Sequence, residues 1–322
     1  MSGGIGSADM DMDMDMDMSA SLGGVLVSAN VEVRPIGVSP ALATVPDQNG
    51  VMEDWFHGNK WPPADFYPQW TNAQPTSFPD RYWDAQLYAI TILAEFVQVK
   101  DGSGQPAWPQ FAADLDALLP KTQALIDAEL RELVELIEYR PGVIAEALAQ
   151  LTYPWRWFRG ILMCNSSSAP ATFRLLQAAS YIGQFQVMYY KRYFNRARPS
   201  QFSPALLPPI DVPGHASFPS GHATETMLIA LMLEKVMPAA ACTPAAGFAP
   251  DNPPPPYPGV SPLQQMAQRI ARNREVLGLH YPSDSKAGRL LAQKTADILM
   301  QCPSINDPAS GLLALASKEW WP

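Results

Sequence analysis

The 322-residue sequence is poor in the features that mark several classes of protein. Its three cysteines are widely spaced and odd in number, so they predict buried thiols and neither a disulfide framework nor a cysteine metal site. No apolar run reaches the roughly 18–20 residues that a membrane helix needs. The nearest candidate, Met227 to Leu233, is followed at once by Glu234 and Lys235. A polytopic membrane protein is therefore not expected.

Positive charge is also scarce. The net charge of −9 argues against nucleic acid or an anionic membrane surface as the main partner. The cations that exist cluster in residues 191–198 and 269–274, a pattern typical of a small-anion site. A basic segment followed by an apolar one is missing at the N-terminus, so no secretory signal is visible. Cytoplasm is the default expectation, and secretion by another route stays open.

Composition divides the chain into three segments. Residues 1–20 alternate Asp and Met from Asp9 to Met18, and this low complexity predicts a disordered tail. Residues 21–80 are rich in Pro and Trp after a short β-like stretch, which predicts a segment that wraps over a helical body. Residues 81–322 form the predicted helical catalytic domain. Its Pro-rich loop, residues 238–262, is expected either to border the site or to mediate assembly into a homo-oligomer.

Hydrophobic periodicity in the third segment is helical, with little strand-like alternation and no alternation of strands with helices. The fold class predicted from this pattern is all-α, a helical bundle. The main helices are expected at residues 120–139, 172–194, 223–237, 263–279 and 283–300.

The first of three short motifs is Lys191, six residues, then Arg198 and Pro199. Seven residues are about two helical turns, so the two cations are expected on one helix face, with Pro199 ending the helix. Arg offers a bidentate fork and Lys a point charge, which together suit an oxyanion. Taken alone, the pair also fits a solvated basic helix end.

The second motif, Pro219-Ser220-Gly221-His222, directly precedes an apolar helical run. Ser220 is a natural N-cap, Gly221 lets an anion approach the backbone, and a helix N-terminus favours negative charge. His222 falls in the first turn, where it can act as a general acid and base. In isolation the tetrapeptide also fits an ordinary cap beside a surface histidine.

The third motif is Arg274, five residues, His280, three residues, Asp284. Pro282 suits the first turn of a helix, so His280 is expected just before it. Asp284 can then hold one imidazole nitrogen and present the other to an anion. Arg274 enters from the preceding helix. A simple capping pair is the alternative interpretation of His280 and Asp284.

Together and in this order, the motifs resemble the signature of the type 2 phosphatidic-acid phosphatase and vanadium haloperoxidase superfamily. The resemblance covers about residues 185–300 and implies a helical bundle with its anion site among the core helices. Asn273 stands where the family usually has Ser. The anion-binding set that the resemblance implies is Lys191, Arg198, Ser220, Gly221, Arg274 and His280, with Lys191, His222, His280 and Asp284 as the catalytic residues.

The superfamily contains two chemistries, and the main prediction is a vanadium haloperoxidase that oxidises bromide or iodide with hydrogen peroxide. Its cofactor would be vanadate, with His280 as the axial metal ligand. His215, seven residues before His222, is found at a similar offset in haloperoxidase relatives and is predicted to tune halide use. The absent leader and membrane spans, with the long helical region before Lys191, favour the same interpretation.

Two alternatives stay open. A soluble acid phosphatase of the superfamily would use the same groups on a phosphoester, with His280 as a nucleophile that forms a phosphohistidine. Five-coordinate vanadate resembles the transition state of phosphoryl transfer, which explains why one site serves both chemistries. A protein that only binds phosphate or vanadate is the third alternative, although binding alone does not need the acid and base at His222.

Overall fold

The computed structural model describes residues 78, 82–152, 154–237 and 261–320. The predicted tail of residues 1–20, nearly all of the segment 21–80 and residues 238–260 of the Pro-rich loop lie outside this described part. The described helices belong to one compact unit that begins at Trp83. The boundaries proposed for the three segments stay predictions.

The described residues form α-helices joined by turns, with one isolated bridge between Lys100 and Pro106 and no β-strand. This confirms the all-α prediction. The helices are α1 (Ala85–Phe96), α2 (Ala112–Asp116), α3 (Gln123–Glu135), α4 (Arg140–Ala149), α5 (Arg156–Leu162), α6 (Pro170–Phe194), α7 (Pro199–Phe202), α8 (Gly221–Leu233), α9 (Pro262–Val276), α10 (Pro282–Leu299), α11 (Pro303–Asn306) and α12 (Leu312–Trp320).

Helix α8 is the centre of this bundle. It packs against α6, α9 and α10, while α1 and α12 cover the outer side of α6. Nearly every residue of α8 is buried, from Ala223 to Leu233, as expected of a helix that is apolar all round. The N-terminus of α8 is consequently surrounded by other helices, which leaves a cavity inside the bundle rather than an exposed helix end.

The two ends of α6 are set differently. A side chain from far along the sequence holds the start, and a local left-handed residue ends the helix. The Glu319 carboxylate of α12 accepts the backbone N–H groups of Ala171 at 2.7 Å and Thr172 at 2.9 Å, which satisfies donors that α6 itself leaves unpaired. At the other end Asn195 adopts a left-handed conformation with φ of 47° and ends the helix.

This ending corrects the expectation for the first motif. Lys191 lies in the last turn of α6, but Arg198 lies beyond the helix in extended backbone, so the two do not share a helix face. Pro199 begins the short helix α7 and does not end α6. The loop after Asn195 turns the chain, and it is this turn that brings Arg198 back to the site.

The buried face of α1 is not marked by its large side chains alone. Leu87 and Ile90 are exposed, and the buried face is formed by Ala89, Ile92 and Phe96. An alanine packs on the buried side, so side-chain size does not identify that side. In the described part of the chain, no helix combines the length and apolarity required to cross a bilayer.

Candidate active site

A cavity of about 470 Å³ opens beside the N-terminus of α8 and collects residues of all three motifs. Its polar wall comes from α6, α8, α9 and the turn before α10, and its apolar wall from the end of α4 and from α6. The lining includes Lys191, Gly221, His222, Glu225, Arg274 and His280, with Leu148, Leu151, Val187, Met188 and Leu279. Segments far apart in the sequence therefore meet at one place, which no local pattern specifies.

Two of the predicted cations are buried and hydrogen-bonded to the loop that precedes α8. Lys191 Nζ donates to the carbonyl oxygens of Ala216 at 2.7 Å and Ser217 at 3.2 Å. Arg198 Nε donates to the His215 carbonyl at 2.9 Å, and its Nη1 donates to the Leu279 carbonyl at 2.9 Å. These bonds fix the positions of both charges before any anion arrives.

Arg274 is the cation with spare donors. It is 1% exposed, its Nη2 donates to the Ala147 carbonyl, and its Nε and Nη1 have no hydrogen-bond partner. Burial lowers the pKa of this guanidinium to about 10, so it stays charged at neutral pH. Unpaired buried donors are costly. An oxyanion in the cavity would satisfy them, and this is the strongest structural indication of an anion site.

His280 and Asp284 form the pair that the third motif predicts. His280 Nδ1 lies 3.0 Å from Asp284 Oδ2, and because a carboxylate only accepts, Nδ1 carries the proton. The Nε2 atom is then the unprotonated nitrogen, and Arg198 Nη1 donates to it at 3.1 Å. Burial, with the positive charges of Arg198 and Lys191, holds the pKa of His280 well below its ordinary value of 6.5. The ring is therefore a neutral imidazole with its lone pair directed toward the cations.

The second motif is built as the sequence predicts. Ser220 is the N-cap of α8 and its side chain accepts from the Ala223 N–H. The hydroxyl is fully buried, and Ser220 is not part of the cavity lining, whereas Gly221 and His222 are. His222 Nε2 lies 2.9 Å from the Gln150 carbonyl, which places the proton of the neutral ring on Nε2. Nδ1 is then the nitrogen that gains and loses a proton.

Sequence reasoning missed a group that supports Asp284. Arg196 Nη1 donates at 2.7 Å to both Asp284 Oδ1 and the Ser283 hydroxyl, and its Nη2 donates at 2.9 Å to Glu129 of α3. Its guanidinium also lies 3.6 Å from the ring centroid of Tyr281. Burial raises the pKa of the Asp284 carboxyl, and Arg196 opposes that rise. In the sequence, Arg196 is only one cation of the basic cluster in residues 191–198.

The end of α4 is the second contribution that the sequence did not reveal. Its backbone carbonyls at Ala147 and Gln150 accept from Arg274 and His222. The Asn273 amide donates at 2.8 Å to the Gln150 side chain, so the residue that departs from the family pattern supports the segment holding His222. Backbone carbonyl acceptors have no signature in the sequence. Among these contacts, only the unusual residue Asn273 offered a signal that the end of α4 supports the site.

His215 also lies at this site. Its Nδ1 is 3.0 Å from Arg198 Nη2, and the residue borders both the cavity at α8 and an adjoining open basin. That basin, of about 880 Å³, is lined by the first motif and by the loop of residues 212–216. His215 therefore contacts Arg198, the predicted anion-binding cation that also donates to His280 Nε2. A role in halide use stays a prediction.

The described fold and cavity define an α-helical protein that gathers buried cations and two imidazoles around one helix N-terminus. No family model matches the chain. The decaprenylphosphoryl-5-phosphoribose phosphatase of Mycobacterium tuberculosis strain H37Rv is 31% identical over 122 residues, which is 38% of this chain and 56% of that protein. The protein of the same name from Mycolicibacterium smegmatis is 28% identical over 167 residues, or 50% of this chain and 80% of the relative. The chain thus spans a little over half the length of the M. tuberculosis relative.

Proposed function

We propose that the protein is a phosphoester hydrolase that works through a phosphohistidine on His280, and that it belongs to the superfamily its motifs resemble. The observation that carries this proposal is the neutral His280 imidazole, whose unprotonated Nε2 faces buried cations with unpaired donors on Arg274. A neutral nitrogen nucleophile beside an oxyanion site is the arrangement that phosphoryl transfer to histidine requires. The names of the relatives support a phosphatase over the predicted haloperoxidase.

In the proposed mechanism the phosphoryl oxygens bind to Lys191, Arg198 and Arg274, with the N-terminus of α8 as an additional donor. The hydrogen bond from Arg198 Nη1 to His280 Nε2 has to break when the substrate binds. The Nε2 lone pair that accepts this hydrogen bond is the one that attacks phosphorus. Asp284 keeps the Nδ1 proton in place and stabilises the positive charge that the ring gains.

The chemistry then proceeds in two steps. His280 Nε2 forms a bond to phosphorus while the phosphorus–oxygen ester bond breaks, and protonated His222 gives its Nδ1 proton to the leaving oxygen. Neutral His222 next takes a proton from water, the water oxygen attacks phosphorus, and the nitrogen–phosphorus bond breaks. Inorganic phosphate leaves, and both histidines return to their starting protonation states.

A vanadium haloperoxidase is the second candidate, and the contact between His215 and Arg198 is the observation in its favour. The donors present fit vanadate, because the unpaired Arg274 nitrogens and His280 Nε2 suit this oxyanion as well as a phosphoryl group. His280 would hold vanadium, and Lys191, Arg198 and Arg274 its oxygens. Bound vanadate would supply activation of peroxide toward halide.

The first test is an assay of p-nitrophenyl phosphate hydrolysis beside bromination of a dye with bromide and peroxide, each with and without orthovanadate. Hydrolysis that vanadate inhibits, with no bromination, is the expected result. Vanadate-dependent bromination without hydrolysis would establish the second candidate. Phosphate binding with neither activity would leave a binding protein.

The covalent step has its own test. Rapid acid-free quenching with a radiolabelled phosphoester should label wild-type protein, and mass spectrometry should locate the phosphate on the peptide that contains His280. The His222→Ala variant should hold more label than wild type, because water attack loses its base, and His280→Ala should hold none. Label that persists in His280→Ala would refute the nucleophile. Glu234→Gln, a change at the C-terminal cap of α8 and outside the cavity lining, is the control.

A further inference from the structure

The open basin beside the catalytic cavity has no task in the proposed mechanism. It has a volume of about 880 Å³ and is continuous with the cavity, because four residues line both spaces: Met188, Lys191, Pro213 and His215. A phosphoester whose phosphorus lies beside His280 can therefore extend its alcohol portion into the basin. The residues that line the basin then decide which alcohols the protein accepts.

The described residues that line the basin have charge of one sign. They include no carboxylate and four side chains with a permanent positive charge: Lys191, Arg192, Arg196 and Arg198. The whole chain has a net charge of −9, so this concentration of cations is not a general property of its surface. A cleft lined by one sign of charge focuses the electric field and attracts ions of the opposite sign. The basin therefore favours a negatively charged group.

Arg192 is the lining cation that the site described above does not employ. Arg196 is bound by Glu129 at 2.9 Å and by Asp284 at 2.7 Å, and the other two cations hold the phosphoryl group in the proposed mechanism. Arg192 lies in the last turn of α6, is exposed, and takes part in none of the ion pairs found among the described residues. Its guanidinium can therefore bind a second anion without giving up a carboxylate partner.

The walls of the basin are held together by hydrogen bonds. The Ser217 N–H donates to the Arg196 carbonyl at 2.9 Å, which joins the loop of residues 212–216 to the turn after α6. Gln201 Oε1 accepts the Arg198 N–H at 2.8 Å, so the amide nitrogen of the same side chain is the end left to donate to a ligand. A site that is formed before the ligand arrives has less conformational entropy to lose on binding.

We propose that the basin is a subsite for a second anionic group on the substrate, bound by the Arg192 guanidinium and the Gln201 amide; this rests on the proposed phosphatase function. The substrate class is a phosphomonoester whose alcohol portion has an anion of its own, several bonds from the ester oxygen. A second phosphate and a carboxylate share this chemistry, because the arginine fork binds either of them through two parallel hydrogen bonds.

The test compares kcat/KM for alkyl phosphates, with chains of three to six carbons, that end in a methyl, a carboxylate or a phosphonate. The phosphonate stands in for a second phosphate, because its carbon–phosphorus bond is not an ester that the enzyme could cleave. At one chain length or more, wild type should prefer an anionic ester over the methyl ester by about fivefold, the scale of one exposed ion pair. Added salt should weaken the preference. The anion that is preferred more strongly identifies the second group.

Two variants connect the preference to Arg192. Arg192→Gln should bring the ratio of anionic to methyl ester close to one, and Arg192→Glu should reverse it through repulsion. Lys318→Gln removes the same charge on α12, which packs at the opposite end of α6, and should keep the wild-type ratio.

The outcomes separate this subsite from the function on which it rests. Equal kcat/KM for every ester in wild type would overturn the subsite, while hydrolysis of p-nitrophenyl phosphate, which has no second anion, upholds the phosphatase. A wild-type ratio in both Arg192 variants would also overturn it, and a loss of stability alone would assign the arginine to the end of α6. Absence of hydrolysis with every ester would overturn both proposals.

Discussion

His280 is a base kept unprotonated by its surroundings. It is 4% exposed, and both ring nitrogens have defined partners, a carboxylate on one side and a guanidinium on the other. An imidazolium here would be buried among cations, and that repulsion adds to the loss of hydration. The residue is therefore suited to donate an electron pair over a wide range of pH, which an exposed histidine with an ordinary pKa does not do.

Protonation of His280 links stability to pH. The pKa of His280 in the folded chain lies well below the ordinary 6.5. Below pH 6.5 the unfolded chain therefore binds a proton at His280 that the folded chain does not bind. The stability that neutral His280 provides is therefore complete above pH 6.5 and is lost as the pH falls below it, by at most about 1.4 kcal/mol per pH unit. Urea unfolding of wild type and His280→Gln from pH 5 to 7.5 should show that the free energy of unfolding depends more steeply on pH in wild type. Parallel curves of this free energy against pH would contradict the role of His280.

At the scale of helices, the start of α10 is held by elements on both sides. Glu129 of α3 accepts the Ser283 N–H at 2.7 Å and the Arg196 guanidinium at 2.9 Å, and Arg196 in turn donates to Asp284. Each of these contacts spans more than 60 residues of sequence. The orientation of Asp284, and through it of His280, thus depends on α3 and on the turn after α6.

Arg196 is consequently expected to be a positioning residue. Arg196→Lys keeps the charge but lacks the fork that reaches Asp284, Ser283 and Glu129 together, so kcat should fall about 10- to 100-fold with little change in KM. Steady-state kinetics on p-nitrophenyl phosphate measures both constants. The exposed neighbour Arg192→Gln should behave like wild type. A rise in KM alone would mean that Arg196 binds substrate directly.

The crossing of α8 and α10 requires a glycine. A methyl group at Gly288 would lie 2.7 Å from the Ser220 carbonyl oxygen and 2.9 Å from Ala223 Cβ, which forces the helices apart. Gly288→Ala should lower the free energy of unfolding by about 1–3 kcal/mol, as overpacking does, and should reduce activity because Ser220 and Asp284 would move. Chemical denaturation measures the first effect. Gly142→Ala on α4, where nothing lies within 4 Å, should raise stability by up to about 1 kcal/mol.

For the molecule as a whole, the site has a cost in stability that an anion should offset. Two nitrogens of Arg274 are buried in the bundle without a hydrogen-bond partner, and unsatisfied donors on a buried charge destabilise the folded state. Phosphate that binds only the folded state adds about 2.7 kcal/mol at a concentration 100 times its dissociation constant. Anion binding and global stability are therefore expected to be linked through this one side chain.

Thermal denaturation with and without phosphate tests the link. Wild-type Tm should rise with phosphate concentration. Arg274→Met should be at least as stable as wild type without phosphate, because it removes the unpaired donors, and should respond weakly to phosphate. Arg269→Met, an exposed arginine on the same helix, should respond like wild type. An undiminished response in Arg274→Met would exclude Arg274 from the anion site.

The sequence by itself determined what depends on neighbours in the chain. The helical period predicted the bundle, and Ser220 predicted the start of α8. The four-residue spacing of His280 and Asp284 predicted their hydrogen bond. Helix caps and contacts between residues i and i+4 depend only on local geometry, so the sequence reveals them. The haloperoxidase prediction rested largely on His215, and the relatives favour the phosphatase alternative instead. One residue at one offset does not separate two chemistries that share a site.

Only the tertiary structure decided which distant groups meet. Arg198 reaches the site through a turn and not along α6, Arg196 and Glu129 support Asp284, and carbonyls of α4 hold Arg274 and His222. In the sequence Glu225 is an ordinary helix position, and only the packing of the helices places it at the cavity. These arrangements depend on how α3, α4, α6, α8, α9 and α10 pack, and packing follows from the fit of many side chains rather than from any local spacing.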